Sequence, residues 1–315
     1  MVLRFFYCQF LINHYLCTLK KNKNMNPIRI GTRDSELAMW QARTVQQQLE
    51  ALGYSTELIA TKSHGDIELS KPLYEMGVTG IFTKALDIAL LNDEIDVAVH
   101  SMKDVPTLLP EGLAVGAVLK RANPHDVLVY KGDPSSVENE IATIATSSLR
   151  RKAQWLHRYP KHQIENLRGN VNTRLQKLAD SQWNGAIFAA AGLERIGKLP
   201  QNHLVLDWML PAPAQGAIMV TVHIDKYDVH QALLPLHDPY TFIATQLERD
   251  FLRALEGGCT APIGAFAQFK DDKLHFKGGL WSEDGKEARV IEEFLTEVDE
   301  TTGERLAQQV KELAK

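Results

Sequence analysis

The chain has 315 residues, of which 44% are hydrophobic, 23% charged and 8% aromatic, and its 35 basic and 39 acidic side chains give a formal charge of -4. That composition excludes a disordered polymer, a collagen-like fibre and a disulfide-stapled miniprotein, and it supplies apolar material for a sizeable core. At about 150 residues per domain it suggests two or three domains. The net negative charge confines any polyanion site to a local cluster.

Residues 1–24, MVLRFFYCQFLINHYLCTLKKNKN, are apolar and aromatic and then basic. Gln9, Asn13 and His14 keep the apolar run below the roughly 18 residues of a spanning helix. Most of the charge follows the apolar part and no A-x-A site appears, unlike a signal peptide. We read residues 1–27 as a leader, disordered or not native to the protein, with organelle or membrane targeting as the alternative. No later segment is long enough to span a bilayer, so a soluble body is expected. Two of the three cysteines, Cys8 and Cys17, fall in the leader. The one remaining, Cys259, can form neither an internal disulfide nor a thiolate metal cage, which argues for a reducing compartment, read as the cytoplasm, and against a Cys-rich metal site.

The body alternates strand and helix. Ile28–Thr32 reads as a strand, and Asp34 or Ser35 caps a helix whose apolar face runs Leu37, Trp40, Val45, Leu49, Leu52 up to Gly53. Tyr54–Thr61 alternates as a strand, so a parallel pair is expected. A helix follows at 81–91, then a buried strand, Ile95–His100, that ends in Ser101-Met102-Lys103-Asp104-Val105-Pro106. Pro106 stops regular structure and leaves Lys103 and Asp104 at a strand's carboxyl end, where open α/β sheets bind ligands.

A second unit begins near Asn123-Pro124, with strands at 126–130, 141–146 and 186–190 and helices at 148–158 and 170–181. Beyond the Pro-rich 210–214, the strand Ala217–His223 is placed back in the first sheet. A helix at 241–255, three alternating strands and a helix from Thr301 make an α+β remainder. The fold class is therefore α/β with mixed sheets. The expected units are 28–122 with 216–236, then 123–215, then a smaller C-terminal domain, 237–315.

Between Ala145 and Lys177 stand Arg150, Arg151, Lys152, Arg158, Lys161, Arg168, Arg174 and Lys177 against the single acid Glu165, a local charge of +7. Guanidinium groups bind carboxylate or phosphate through paired hydrogen bonds. Both arginine clusters follow a strand-to-helix junction, where free backbone N–H groups also favour an anion. Surface ion pairing explains any one of them but not the set, because acids are scarce nearby. No nucleic-acid-binding motif is legible, so small carboxylates or phosphates are the expected ligands. Asp104, beside Lys103, either orients an N–H donor or cation, or makes a local turn before Pro106. Cys259, in Glu256-Gly257-Gly258-Cys259-Thr260-Ala261-Pro262, is either an inert buried thiol or a reactive, derivatised one.

The strings GTRDSELAMWQA, AVHSMKDVPTLLPEGL, ATSSLRRKAQ, LRGNVNTRL, AAAGLERIG, LPAPAQGA and LEGGCTAPIG occur in this order over nearly the whole body. Together they resemble the porphobilinogen deaminase (hydroxymethylbilane synthase) family. The resemblance implies two domains like those of periplasmic binding proteins and a third that carries a cysteine. It implies a monomeric transferase that joins four porphobilinogen molecules head to tail, releases ammonia from each and yields the linear tetrapyrrole hydroxymethylbilane. The primer is a dipyrromethane cofactor held by a thioether to the cysteine matching Cys259. Porphobilinogen is then the partner, with no nucleic acid, membrane, metal or nucleotide. Each pyrrole carries an acetate and a propionate, so a growing chain needs many cations around it.

On the family's pattern Asp104 is catalytic. Lys103, Asp104, Ser148, Arg150, Arg151 and Thr146 match cofactor contacts, and Arg33, Ser35, Arg168, Arg174, Arg195 and Gln215 match contacts to the incoming or growing chain. One departure is Thr79, in Met76-Gly77-Val78-Thr79-Gly80, where the family commonly has lysine. A shorter C-terminal end is a second, expected to lower stability before chemistry. A non-catalytic two-lobed binder of a small carboxylate or phosphate is the alternative function.

Overall fold

The computed structural model describes residues 26–61, 83–133, 135, 137, 141–255 and 262–313. From the N-terminus, β1 (Ile28–Arg33), α1 (Glu36–Ala51) and β2 (Thr56–Thr61) form the expected strand–helix–strand unit. Ser35 is the cap: its Oγ accepts from the Ala38 N–H at 3.4 Å. Ala38, Ala42, Val45 and Leu49 give α1 its buried face, and Gly53 at φ +89° closes it. Next come α2 (Lys84–Leu91), β3 (Val97–Ser101) and β4 (Leu113–Val118).

The chain then crosses to a second group: β5 (Asp126–Tyr130), β6 (Thr143–Ala145), α3 (Leu149–Arg158), β7 (Gln163–Glu165), α4 (Val171–Asp180), β8 (Gly185–Ala189), α5 (Ala190–Arg195) and β9 (His203–Leu206). It returns through β10 (Ile218–His223) and α6 (Tyr227–Leu233). The last group is α7 (Pro239–Ala254), β11 (Ile263–Lys270), β12 (Lys273–Trp281), β13 (Ala288–Leu295) and α8 (Thr302–Glu312). Helix α7 starts ahead of Thr241 because Asp238 caps it, its Oδ1 accepting from the Thr241 N–H at 2.7 Å.

Three sheets result. The first has the order β2-β1-β3-β10-β4, with β1 parallel to β2 and β3, and β10 antiparallel to both β3 and β4. The return of 217–223 to this sheet is thus as expected. The second has the order β7-β6-β8-β5-β9, with β6 parallel to its neighbours and β5 antiparallel to its own. The two layouts match strand for strand, a duplication that no sequence repeat betrays. The third is the antiparallel meander β11-β12-β13. Helices α7 and α8 bury one face of it, with Phe251, Leu306 and Val310 packed in one core with Phe276 of β12. Among the described residues, no helix is long and apolar enough to cross a membrane.

The two crossings between the first and second sheets lie side by side. The Ala122 N–H donates to Gly216 O at 3.1 Å and the Leu119 N–H to Ile218 O at 3.0 Å. Gly216 has φ +90°, and a Cβ there would lie 2.7 Å from Ala122 O, so no other residue fits without moving the hinge. Glu248, on α7 and fully buried, ties the third group to this hinge. Its carboxylate accepts from Arg121 Nη1 at 2.6 Å and Nη2 at 3.1 Å, and from the backbone N–H groups of Ala214 and Ala267, each at 2.6 Å. Removing one partner of such a pair leaves a buried charge without compensation. Glu248→Ala is therefore expected to cost about 3–5 kcal/mol of stability, read as a lowered urea midpoint at unchanged slope.

Candidate active site

A cleft of about 240 Å³ lies where the carboxyl ends of β1, β3, β6 and β8 face one another across the hinge. Its lining carries six cations, Arg33, Lys103, Arg151, Arg168, Arg174 and Arg195, and two carboxylates, Glu36 and Asp104. Ser35 and Gln215 also line it. Nine of the residues singled out from the sequence are thus brought together. Of the eight basic residues in the 145–177 cluster, only Arg151, Arg168 and Arg174 face the cleft. Arg158 lies instead over the Trp208 ring, 4.9 Å from its centroid. The +7 count therefore overstates what the cleft receives from this segment.

On the first sheet's side, β3 runs into a single 3-10 turn, Met102–Asp104, rather than an irregular loop. Met102 is buried beneath it and Lys103 and Asp104 reach the cleft. Arg249 of α7 clamps this turn, its guanidinium donating to Met102 O at 3.3 Å, Val105 O at 2.8 Å and Pro106 O at 2.6 Å. Gln41 donates to Ser101 Oγ at 2.8 Å and steadies the strand end.

On the second side, two strand-to-helix junctions and the far end of α5 each aim an arginine. Ser148 caps α3, Oγ accepting from the Arg151 N–H at 3.4 Å. Asn170 caps α4, Oδ1 accepting from the Thr173 N–H at 3.0 Å, and Arg174 Nε donates to Gly169 O at 2.7 Å. Arg195, at the end of α5, donates to Gly216 O at 2.7 Å. Thr146 Oγ1 accepts from the Ser148 N–H at 3.2 Å. Thr146 and Ser148 thus shape the junction without lining the cleft.

The arginine pair does not stand free of acids. Asp126, fully buried at the start of β5, forms ion pairs with Arg150 Nη1 and Arg151 Nη2, both at 2.7 Å. Burial alone would raise its carboxyl, but the two guanidinium groups outweigh this and hold it well below the usual carboxylate range. Arg150 also donates to Leu210 O at 2.6 Å and lies beneath the cleft rather than on it. The scarcity of acids around these arginines was a feature of the sequence alone, because their partner lies 24 residues before Arg150. Gln215 extends the array, donating to Asp126 Oδ1 at 3.0 Å and accepting from Lys103 Nζ at 3.2 Å.

Asp126, Arg249, Glu36 and Asn172 were not anticipated. A buried acid among apolar strand residues, Asp126-Val127-Leu128-Val129, was a signal available for the first of them. Cys259 and Thr79 lie outside the described residues, as do residues 1–25.

Burial lowers the side-chain pKa of Arg174 and of Arg195 to about 10, so both stay charged at neutral pH. Lys103 is pushed down to about 8, by burial first and by Arg151 and Arg150, against the opposing pull of Asp104 and Asp126.

A family model described as "Porphobilinogen deaminase, dipyromethane cofactor binding domain" matches residues 28–231. The chain belongs to the porphobilinogen deaminase family. A second model, "Porphobilinogen deaminase, C-terminal domain", matches residues 242–315. The porphobilinogen deaminase of Syntrophobacter fumaroxidans is 44% identical over 265 residues, 82% of this chain and 86% of that one. That of Moorella thermoacetica is 43% identical over 292 residues, covering 91% and 93%. Among solved structures, a probable amino-acid ABC transporter extracellular-binding protein of Bacillus subtilis aligns with 67% of this chain and 90% of its own, at 10% identity and TM-score 0.42. The family's cofactor, a dipyrrole rich in carboxylates, needs cations together with an acceptor for pyrrole N–H groups. The cleft offers both, six cations around Asp104.

Lys103 gives a pH test. Its folded pKa of about 8 lies below the unfolded value of 10.5, so the folded chain binds fewer protons between those values and gains stability as pH rises through them. The stability of the native chain relative to Lys103→Met is expected to increase from about pH 8 to about pH 10.5 in paired urea titrations. A pH-independent difference would show that Lys103 titrates in the folded chain as it does in the unfolded one.

Proposed function

We propose that this chain is a hydroxymethylbilane synthase, a transferase that joins four porphobilinogen molecules head to tail with loss of ammonia to give hydroxymethylbilane. The observation that carries the reading is the single inner carboxylate, Asp104, set on a clamped turn among six cations. Cations on this scale offset the mutual repulsion of a growing polycarboxylate. Asp104 accepts pyrrole N–H bonds and stabilises the positive charge that develops on a pyrrole ring as ammonia departs. Held by the Arg249 clamp, it does this without reorganising at the moment of reaction. It is also placed to assist proton movement.

Lys103 and Arg151 are assigned to the cofactor's carboxylates, with Arg150 acting through Asp126 and with Thr146 and Ser148 building the turn that aims Arg151. Arg33, Ser35, Arg168, Arg174, Arg195 and Gln215 are assigned to the substrate and the lengthening chain. Cys259 is assigned as the attachment point by the match of LEGGCTAPIG to the family motif. When bound, the dipyrromethane supplies the primer end to which substrate rings are joined. We also take 28–122 with 216–236, 123–215 and 237–315 as the three domains. Cytoplasmic location rests on the lone thiol of the body, and a monomeric state rests on the resemblance.

Freshly purified protein is expected to exceed its sequence mass by one dipyrrole, and Cys259→Ser to remove the excess. A fully active protein at sequence mass would sink the assignment. Asp104→Ala is expected to keep the urea midpoint near native while lowering kcat by about 10²-fold or more. Near-native turnover by that variant would dismiss the role given to Asp104.

A further inference from the structure

One of the two carboxylates on the cleft sits where an anion should be repelled least. Glu36, the first residue of α1, reaches across from the first sheet's side to the second. Its Oε2 accepts from Lys198 Nζ and from Asn172 Nδ2, each at 2.7 Å. Lys198 Nζ donates in turn to Asn172 Oδ1 at 2.6 Å, so ammonium, amide and carboxylate close a triangle. The group is at the mouth: Glu36 and Asn172 line the cleft, yet the Lys198 and Glu36 side chains remain 39% and 47% exposed. Hydrogen bonds from Lys198 and then Asn172 hold the Glu36 carboxyl below its usual range.

Each corner also adjoins a cleft cation in the chain. Glu36 follows Arg33, Asn172 precedes Arg174, and Lys198 follows Arg195. An ammonium and an amide N–H converging on one carboxylate oxygen form a carboxylate receptor, and here the receptor is filled by the chain itself. We propose that Lys198 and Asn172 form a carboxylate-binding subsite at the cleft mouth, and that an acetate or propionate of the incoming pyrrole takes the place of Glu36 there. This rests on the function proposed above.

The exchange replaces one carboxylate by another on the same donors, so its net cost is small. A displaced Glu36 stays in the first turn of α1, where the helix dipole favours negative charge, and can reoccupy the subsite when ligand leaves. Exchange also breaks this tie between the two sides of the cleft, coupling arrival of substrate to release of the mouth. Lys198 and Asn172 are binding residues in this account, and Glu36 is an internal competitor.

The test uses the holoenzyme and three variants, Lys198→Met, Glu36→Gln and the two combined. For an exposed charge pair, Lys198→Met is expected to raise the KM for porphobilinogen about fivefold, whereas Glu36→Gln lowers it about twofold. The double variant is expected to match Lys198→Met, and kcat to stay within about twofold throughout. An unchanged KM in Lys198→Met, or a raised KM in Glu36→Gln, would overturn the proposal and leave the triangle as a clamp.

Differential acetylation read by mass spectrometry supplies a measure that needs no turnover. In Glu36→Gln, porphobilinogen is expected to protect Lys198, and equal labelling with and without it would refute the subsite. A native chain that makes product while Lys198→Met keeps its KM defeats this inference alone. A native chain that makes none defeats the functional reading, and the labelling still decides the subsite.

Discussion

The cleft depends on a single buried negative charge. Asp126 has no exposed surface, and an isolated carboxylate there would be protonated or would unfold its surroundings. Arg150 and Arg151 from α3 and Gln215 from the returning crossing are gathered around it. That requirement fixes the position of α3 on the second sheet and the path of the hinge. Through Gln215 it also fixes Lys103, on the opposite side of the cleft. A connected polar array thus runs from the second sheet to the first, and each member satisfies its neighbour. One arginine of the pair remains beneath the floor, while the other lines the cleft with its geometry already set.

The third group does more than supply Cys259. Two consecutive residues of α7 point to different places, as residues one apart on a helix do. Glu248 binds the hinge through Arg121 and Ala214, and Arg249 grips the turn that displays Asp104. Both contacts are buried, so displacement of α7 would disturb the hinge and the turn bearing Asp104 together. The one helix thus braces the crossing between the first two sheets and the turn that displays Asp104.

Much of this was legible in the sequence because the relevant signals are local. The Ser35 cap, the Gly53 stop, the alternation of 56–61 and the strand-to-turn passage into Asp104 each need only a few neighbouring residues. The gathering of Arg33, Lys103, Arg168, Arg174 and Arg195 followed from the family motifs and from the rule that strand carboxyl ends meet at one cleft. Long-range pairing was not legible. Nothing near Arg150 announces that Asp126 will neutralise it, and nothing near Pro106 announces Arg249. Short elements escaped as well: β7 has three residues, of which only Ile164 is even half-buried, too few to show a period. The matching layout of the first two sheets is likewise a property of backbone order and leaves no repeat in side chains.

The position of β10 has a consequence for synthesis of the protein. It lies between β3 and β4 in the first sheet, and in the described residues β4 pairs with no other strand. A chain emerging from the ribosome therefore has every strand of the second sheet, residues 126–206, before it has the strand that completes the first. The half of the protein encoded earliest is the half that must wait. Until residue 218 and its successors arrive, the turn bearing Asp104 has no finished sheet beneath it and the growing chain has no assembled cleft.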